Sequence, residues 1–165
     1  MRGPKVPSFY RIMFELKIKK LMSDFLNERP DIFIIDYSIV NDNEIEIIID
    51  GDNDITVNDC ISFSRYLESH IDRNLNDFSL NVKSFGATKP FILSRQYYKH
   101  KGRTLSVMTN EKKYLGKLID VNDKNIVLSW QERQPKPVGK GKITVTKEID
   151  INFNKIKEAK VKIKY

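Results

Sequence analysis

Hydrophobic residues return along the first ninety positions with two alternating periods. Phe14, Ile18, Leu21, Met22 and Phe25 recur at helical spacing, with Lys17, Lys19, Lys20 and Asp24 between them. One face is apolar, which predicts an amphipathic helix. Pro30 ends it, because the residue before a proline is driven out of the helical region. The period then changes to two. Positions 32–40 form a β-branched run and positions 44–50 another, with Asn41-Asp42-Asn43 between them as a hairpin turn. In the second run Ile45, Ile47 and Ile49 alternate with Glu44, Glu46, Ile48 and Asp50, so one face is expected to be buried and the other mostly wet. Thr56 is a candidate helix cap, and Asp59 three residues on approximates the reciprocal partner of a capping box. Cys60, Phe63, Ser64, Leu67 and Ile71 make the inner stripe of that second helix. Phe78, Leu80 and Val82 alternate as a third strand, and Ser84-Phe85-Gly86-Ala87-Thr88-Lys89-Pro90 then breaks the pattern as a domain boundary. Residues 1–7 carry two prolines and no periodicity, and 1–12 reads as a mobile leader.

Beyond the boundary the pattern shortens. Ser94 is placed to cap a short helix through Tyr97 and Tyr98, with Gly102 just past its end. Strand-like runs follow at 104–109, 114–121, 125–131, 142–151 and 159–165. Polar turns separate them at 110–113 and 122–124, a longer loop runs from 131 to 141, and 153–158 reads as a single helical turn. Five short antiparallel strands in so small a domain predict a closed or nearly closed barrel, which leaves few open edges. The fold class is α+β: an N-terminal α-β-β-α-β domain at 13–86, a linker at 87–93 and a small β-barrel domain at 94–165.

Charge sharpens the division. The 165 residues carry a net +7. Residues 1–93 hold 11 Lys/Arg against 15 Asp/Glu, and residues 94–165 hold 18 against 7, so the halves stand at −4 and +11. A neutral partner gives no reason for such a split, whereas a polyanion does, because Lys and Arg replace condensed counterions along a phosphate backbone. No apolar run approaches the ~20 residues that span a bilayer, so no membrane is expected. The lone Cys60 excludes a disulfide within the chain, and with no export signal the cytoplasm is the expected compartment.

Catalytic patterns are tested and set aside. His70 and His100 stand in different halves, each near the end of a predicted helix, where capping or solvation is the expected role rather than metal ligation. Cys60 reads as a small core residue rather than a nucleophile. The run Asp50-Gly51-Asp52-Asn53-Asp54 begins like a calcium loop, but Ile55 and Ile61 stand where Gly and Glu are required, which leaves a turn or helix cap. Gly139-Lys140-Gly141-Lys142 fails the phosphate-loop pattern at Lys136 and Ile143, and is a basic loop stiffened by Pro135 and Pro137. No catalytic residue, metal site, cofactor or small-molecule substrate is expected.

The basic residues carry more. Lys160, Lys162 and Lys164 alternate with Ala159, Val161, Ile163 and Tyr165, which puts the three ammonium groups on one face. Two compatible readings follow: a phosphate-binding face, or an edge strand that uses lysine to block unwanted pairing. Lys112, Lys113, Lys117, Lys136, Lys140 and Lys142 are the other candidates for nucleic-acid contact. Tyr97 and Tyr98 are able to stack on bases, but one or both are expected to plug the interdomain seam.

At this level the chain resembles the bacterial ribosome maturation factor RimP family. The likeness runs through Ile45-Glu46-Ile47-Ile48-Ile49-Asp50, Asp54-Ile55-Thr56-Val57-Asn58-Asp59-Cys60, Ser64-Arg65 and Leu67-Glu68, then residues 80–82 and the 84–90 junction. It continues with Gln96-Tyr97-Tyr98 up to Gly102 and with Tyr114-Leu115-Gly116-Lys117-Leu118, and covers about residues 13–165. Against the family's usual junction, Ser-Pro-Gly-x-Asp-Arg-Pro, Ser84, Gly86 and Pro90 match, Phe85 replaces the proline and Thr88-Lys89 replaces the acid–base pair. The 131–141 loop is long for the family. The resemblance implies a non-enzymatic factor that binds the immature small ribosomal subunit, rRNA and a small-subunit ribosomal protein included, and assists late assembly. It also implies an SH3-like or Sm-like barrel. A monomer is expected. Two other classes remain: a general RNA-binding adaptor, against which no Gly-x-x-Gly clamp is present, and a metal-dependent nuclease on Asp50, Asp52 and Asp54.

Overall fold

The computed structural model describes residues 8–41, 43–72 and 77–163. The chain divides into two compact units, Met1–Phe85 and Gly86–Tyr165.

In the first unit the order is α1 (Ser8–Glu28), β1 (Ile32–Val40), β2 (Glu44–Gly51), α2 (Val57–Ser69) and β3 (Ser79–Ser84). The helix α1 begins at Ser8, so residues 8–12, read above as leader, are helical. Nothing between Pro7 and Phe25 breaks a helix, and extending one costs little once its first turn exists. The rest of the expected leader, 1–7, lies outside the described residues, as does Asp42 of the hairpin turn. Asn41 turns that corner at φ 52°, a conformation asparagine tolerates better than most side chains.

β1 and β2 are antiparallel, β2 and β3 parallel, in the order β1-β2-β3. A bulge between Ile34 and Asp36 resets the register of β1, so that Ile34, Tyr37 and Ile39 lie opposite Ile49, Ile47 and Ile45. One face of the sheet thereby becomes apolar. It buries Ile45, Ile47 and Ile49 with Ile18, Leu21, Met22 and Phe25 of α1 and Phe63 and Leu67 of α2. Phe25 and Phe63 meet edge to face at 4.7 Å. The capping box forms as the spacing predicts: Asp59 N–H donates to Thr56 Oγ1 at 3.1 Å, and Thr56 N–H donates to Asp59 Oδ2 at 2.9 Å. Arg29 ties it to the end of α1, donating to both oxygens of Asp31 at 3.1 and 3.0 Å and to Asp59 at 3.2 Å.

The second unit holds a 3₁₀ helix at Ser94–His100, then β4 (Thr104–Thr109), β5 (Lys113–Val121), β6 (Asn125–Pro135), β7 (Lys142–Asn152), a 3₁₀ turn at Phe153–Lys155 and β8 (Ile156–Val161). The strands form one antiparallel sheet in the order β7-β6-β5-β4-β8. Several expectations change, the turn read at 153–158 among them: it ends at Lys155, and β8 begins at Ile156 rather than at 159. The sheet is not closed into a barrel by hydrogen bonds: β7 and β8 are both edges, because β7 pairs along its length with β6. Ser94 is not the cap of the short helix. Buried Gln96 does that work, its Oε1 accepting from the N–H groups of Ile92 at 2.8 Å and Leu93 at 3.0 Å. The loop expected at 131–141 is strand over its first five residues, since β6 runs on to Pro135, and turn only from Lys136 to Gly141.

Gly116 lies close against β6. A Cβ there would lie 3.0 Å from the Ser129 carbonyl oxygen and 3.3 Å from Leu128 Cβ. With a register shift just beyond it, between Leu118 and Asp120, this is where the sheet can curl over its core. That core comprises Leu105, Val107, Leu118, Val121, Ile126, Leu128, Ile151, Ala159 and Tyr97.

Candidate nucleic-acid interface

Strand alternation separates the side chains of β5. Gly116 and Leu118 are buried and Tyr114 packs against the core, whereas Lys113, Leu115 and Lys117 face outward. Pairing then extends this outer face sideways. Lys113 is opposite Met108, which is opposite Glu158 on β8. Leu115 is opposite Ser106, which is opposite Lys160. Lys117 is opposite Thr104, whose carbonyl accepts the Lys162 N–H at 2.9 Å. Directly opposed residues in antiparallel strands point the same way, ~5 Å apart. Lys113, Lys117, Lys160 and Lys162, all exposed, therefore share one face across three strands. The acid among them, Glu158, lies 3.8 Å from Lys160 Nζ, a half-exposed pair of small energetic weight. Because β8 is also an edge strand, its lysines serve both readings given above.

The remaining candidates fall elsewhere. Lys112 Nζ stands 4.8 Å over the ring of Tyr114, which neighbours Trp130 at 6.0 Å. The Trp130 indole donates to Glu132 Oε1 at 2.9 Å and the Gln134 amide to Oε2 at 3.3 Å. These bonds, ahead of the nearby Lys147 and Lys112, hold the Glu132 carboxyl below the usual carboxylate range. Lys136 and Lys140 occupy the β6–β7 turn and Lys142 opens β7. Lys164 lies outside the described residues. Exposed Arg133 belongs beside Lys142 and was missed by the sequence reading. Carrying the period-two alternation of 125–131 on to Pro135 would have found it.

At the junction, Ser84 ends β3, Gly86 accepts the Lys89 N–H at 3.1 Å, and Phe91, just past Pro90, donates to the Ala159 carbonyl at 2.8 Å. Tyr97 packs within the second unit. It is buried in the core of its own unit against Phe91 and Phe153, at 4.7 and 5.2 Å, and burial pushes its phenol up to about 12. Tyr98 is exposed. His70 caps α2, its Nδ1 2.8 Å from the Tyr66 carbonyl. His100 is buried rather than solvated, stacked on Phe91 at 5.1 Å, because the 3₁₀ geometry turns it inward with Tyr97. Cys60 packs against the first core, where burial raises its thiol pKa. The acidic run makes a tight turn: Asp50 Oδ1 accepts the Gly51 N–H at 2.9 Å, and Asp52 N–H donates to the Asp31 carbonyl at 2.8 Å. Among the described residues no three of His, Cys, Asp and Glu converge on a metal-sized site, and no helix is long and apolar enough to cross a membrane.

Fold and surface define a two-unit α+β protein, acidic before its junction and basic beyond it, with lysines displayed on an open sheet face. The chain belongs to the ribosome maturation factor RimP family. It is 44% identical over 153 residues to the ribosome maturation factor RimP of Christiangramia forsetii, a match covering 93% of this chain and 100% of that protein. It is 41% identical over 146 residues to the RimP of Flavobacterium psychrophilum, covering 88% of this chain and 95% of that protein. With the RimP of Porphyromonas gingivalis it shares 34% over 145 residues, 87% and 94% of the two chains. No family model matches the chain.

Proposed function

We propose that this protein is a non-enzymatic, cytoplasmic assembly factor that binds the immature small ribosomal subunit as a monomer, through rRNA and a small-subunit ribosomal protein. The observation that carries the RNA contact is the convergence of Lys113, Lys117, Lys160 and Lys162 on one sheet face of a half-chain that is strongly basic. Lysines held by a sheet are presented without further ordering of the backbone, and each displaces counterions from a phosphate strand. The strand order, with a 3₁₀ turn between β7 and β8, supports the SH3-like or Sm-like class for the second unit.

The test is co-sedimentation of the full chain with small-subunit particles from cell extract, repeated over a range of salt. The protein is expected to migrate with small-subunit particles. Replacing the four lysines by Gln should flatten the log–log salt dependence by roughly 3 units, at ~0.7–0.9 per phosphate contact. Even spreading over all RNA-containing fractions would favour a general adaptor, and a protein that stays at the top of the gradient removes the reading.

A further inference from the structure

Past the pairing of Lys117 with Ser129, β6 is paired with no strand but β7 among the described residues. From Trp130↔Lys147 to Pro135↔Lys142 the two strands continue as a two-stranded ribbon, roughly 20 Å long at ~3.3 Å per residue. The turn at its end is closed by Lys136 N–H donating to the Gly141 carbonyl at 3.1 Å, with Gly139 and Gly141 at φ 88° and 103°. Such a ribbon has little core of its own, so ordering it costs conformational entropy that burial does not return. Its composition is one-sided. Residues 130–147 carry Arg133, Lys136, Lys140, Lys142 and Lys147 against the single acid Glu132, which is bonded to Trp130 and Gln134. Arg133, Lys136, Lys140 and Lys142 are exposed, and none is in an ion pair among the described residues. Arg133 and Lys142 share a face with Thr144 between them across the ribbon, while the turn offers Val138 with 87% of its surface open. A charge set kept for solubility alone mixes its signs.

We infer that this ribbon is an arm that grips the phosphate backbone of double-helical RNA. The inference rests on the proposed function and names a second contact, distinct from the sheet face. The paired strands, with Pro135 and Pro137 at the turn, hold the cations at fixed spacing, which suits the fixed phosphate spacing of a duplex. Contact through phosphates is independent of base sequence and steeply salt-dependent.

The experiment measures anisotropy of a labelled, mixed-sequence RNA hairpin titrated with the full chain across salt, beside co-sedimentation with small-subunit particles. Arg133→Gln, Lys136→Gln, Lys140→Gln and Lys142→Gln together should weaken hairpin binding roughly tenfold or more and lower the salt slope by about 3 units. A charge-preserving set, Arg133→Lys with Lys136→Arg, Lys140→Arg and Lys142→Arg, should keep both, and melting temperatures should stay unchanged. An unchanged hairpin slope overturns the arm. If particle binding is lost while the hairpin slope is unchanged, the arm holds protein and the inference also falls. If the arm set changes nothing but the sheet set releases small-subunit particles, the proposed function stands without the arm. If no variant or wild type joins small-subunit particles, yet the hairpin slope follows the arm, the arm stands and the proposed function falls.

Discussion

Removing the Asp59 carboxylate tests whether a local capping signal also locks the two helices of the first unit together. Asp59 Oδ2 accepts the Thr56 N–H at 2.9 Å and the Thr56 hydroxyl at 3.0 Å, and Oδ1 accepts from Arg29 at 3.2 Å. Its carboxyl is held below the usual range, first by the Thr56 backbone N–H and then by the Thr56 hydroxyl and Arg29. Losing a capping interaction costs ~1 kcal/mol, and the partly exposed ion pair adds at most ~1. Asp59→Ala should therefore destabilise the protein by about 1–2 kcal/mol at neutral pH, several degrees of melting temperature for a unit of this size. Asp59→Asn, which keeps an oxygen acceptor, should cost less. The folded carboxyl has the depressed pKa, so its stabilisation is complete above the unfolded value of ~3.9 and is lost as pH falls through the folded value. The difference between wild type and Asp59→Asn should accordingly shrink in acid. Urea unfolding followed by helical ellipticity reads the right unit, since α1 and α2 both belong to it. An Asp59→Asn penalty of the same size at pH 7 and at strongly acid pH would refute the charge argument. No penalty for Asp59→Ala at pH 7 would refute the cap itself.

Tyr37 presents its hydroxyl to the first core with no hydrogen-bond partner among the described residues, and burial, ahead of the charge on Glu15, pushes its phenol up to about 12. Tyr37→Phe removes an unsatisfied polar atom and should stabilise by about 1 kcal/mol in thermal melts; a clear loss would mean the hydroxyl is paired in solution. Gly116→Ala drives a methyl toward the Ser129 carbonyl, which the ladder prevents from retreating, and should destabilise the second unit by about 1–3 kcal/mol. Denaturant curves read by the single Trp130 would detect it, and a wild-type midpoint would show that the two strands can part there at little cost.

The chain's own periodicities determined much of this protein. The bounds of β1 and β4, the buried alternation of Ile45, Ile47 and Ile49, and the Thr56–Asp59 box were legible because each depends on residues within a few positions of one another. So was the shift from acidic to basic beyond the junction, and the motifs between 45 and 118 that carry the family likeness. What the strand pattern leaves open is register, because alternation assigns faces within a strand and says nothing of which residue stands opposite on the next. Tertiary pairing alone brought Lys113 and Lys117 onto one sheet face with Lys160 and Lys162, more than forty positions away. It also carried β6 past the point where apolar alternation stops, turning an expected loop into the ribbon that bears Arg133. Beyond Gln131 the residues of β6 pair backbone to backbone with their side chains mostly exposed, so apolar alternation does not mark them, whereas the facing run from 142 was legible. Tyr97 and His100, polar enough to read as seam or surface, were decided the same way: a 3₁₀ turn capped by Gln96 points both rings inward against Phe91.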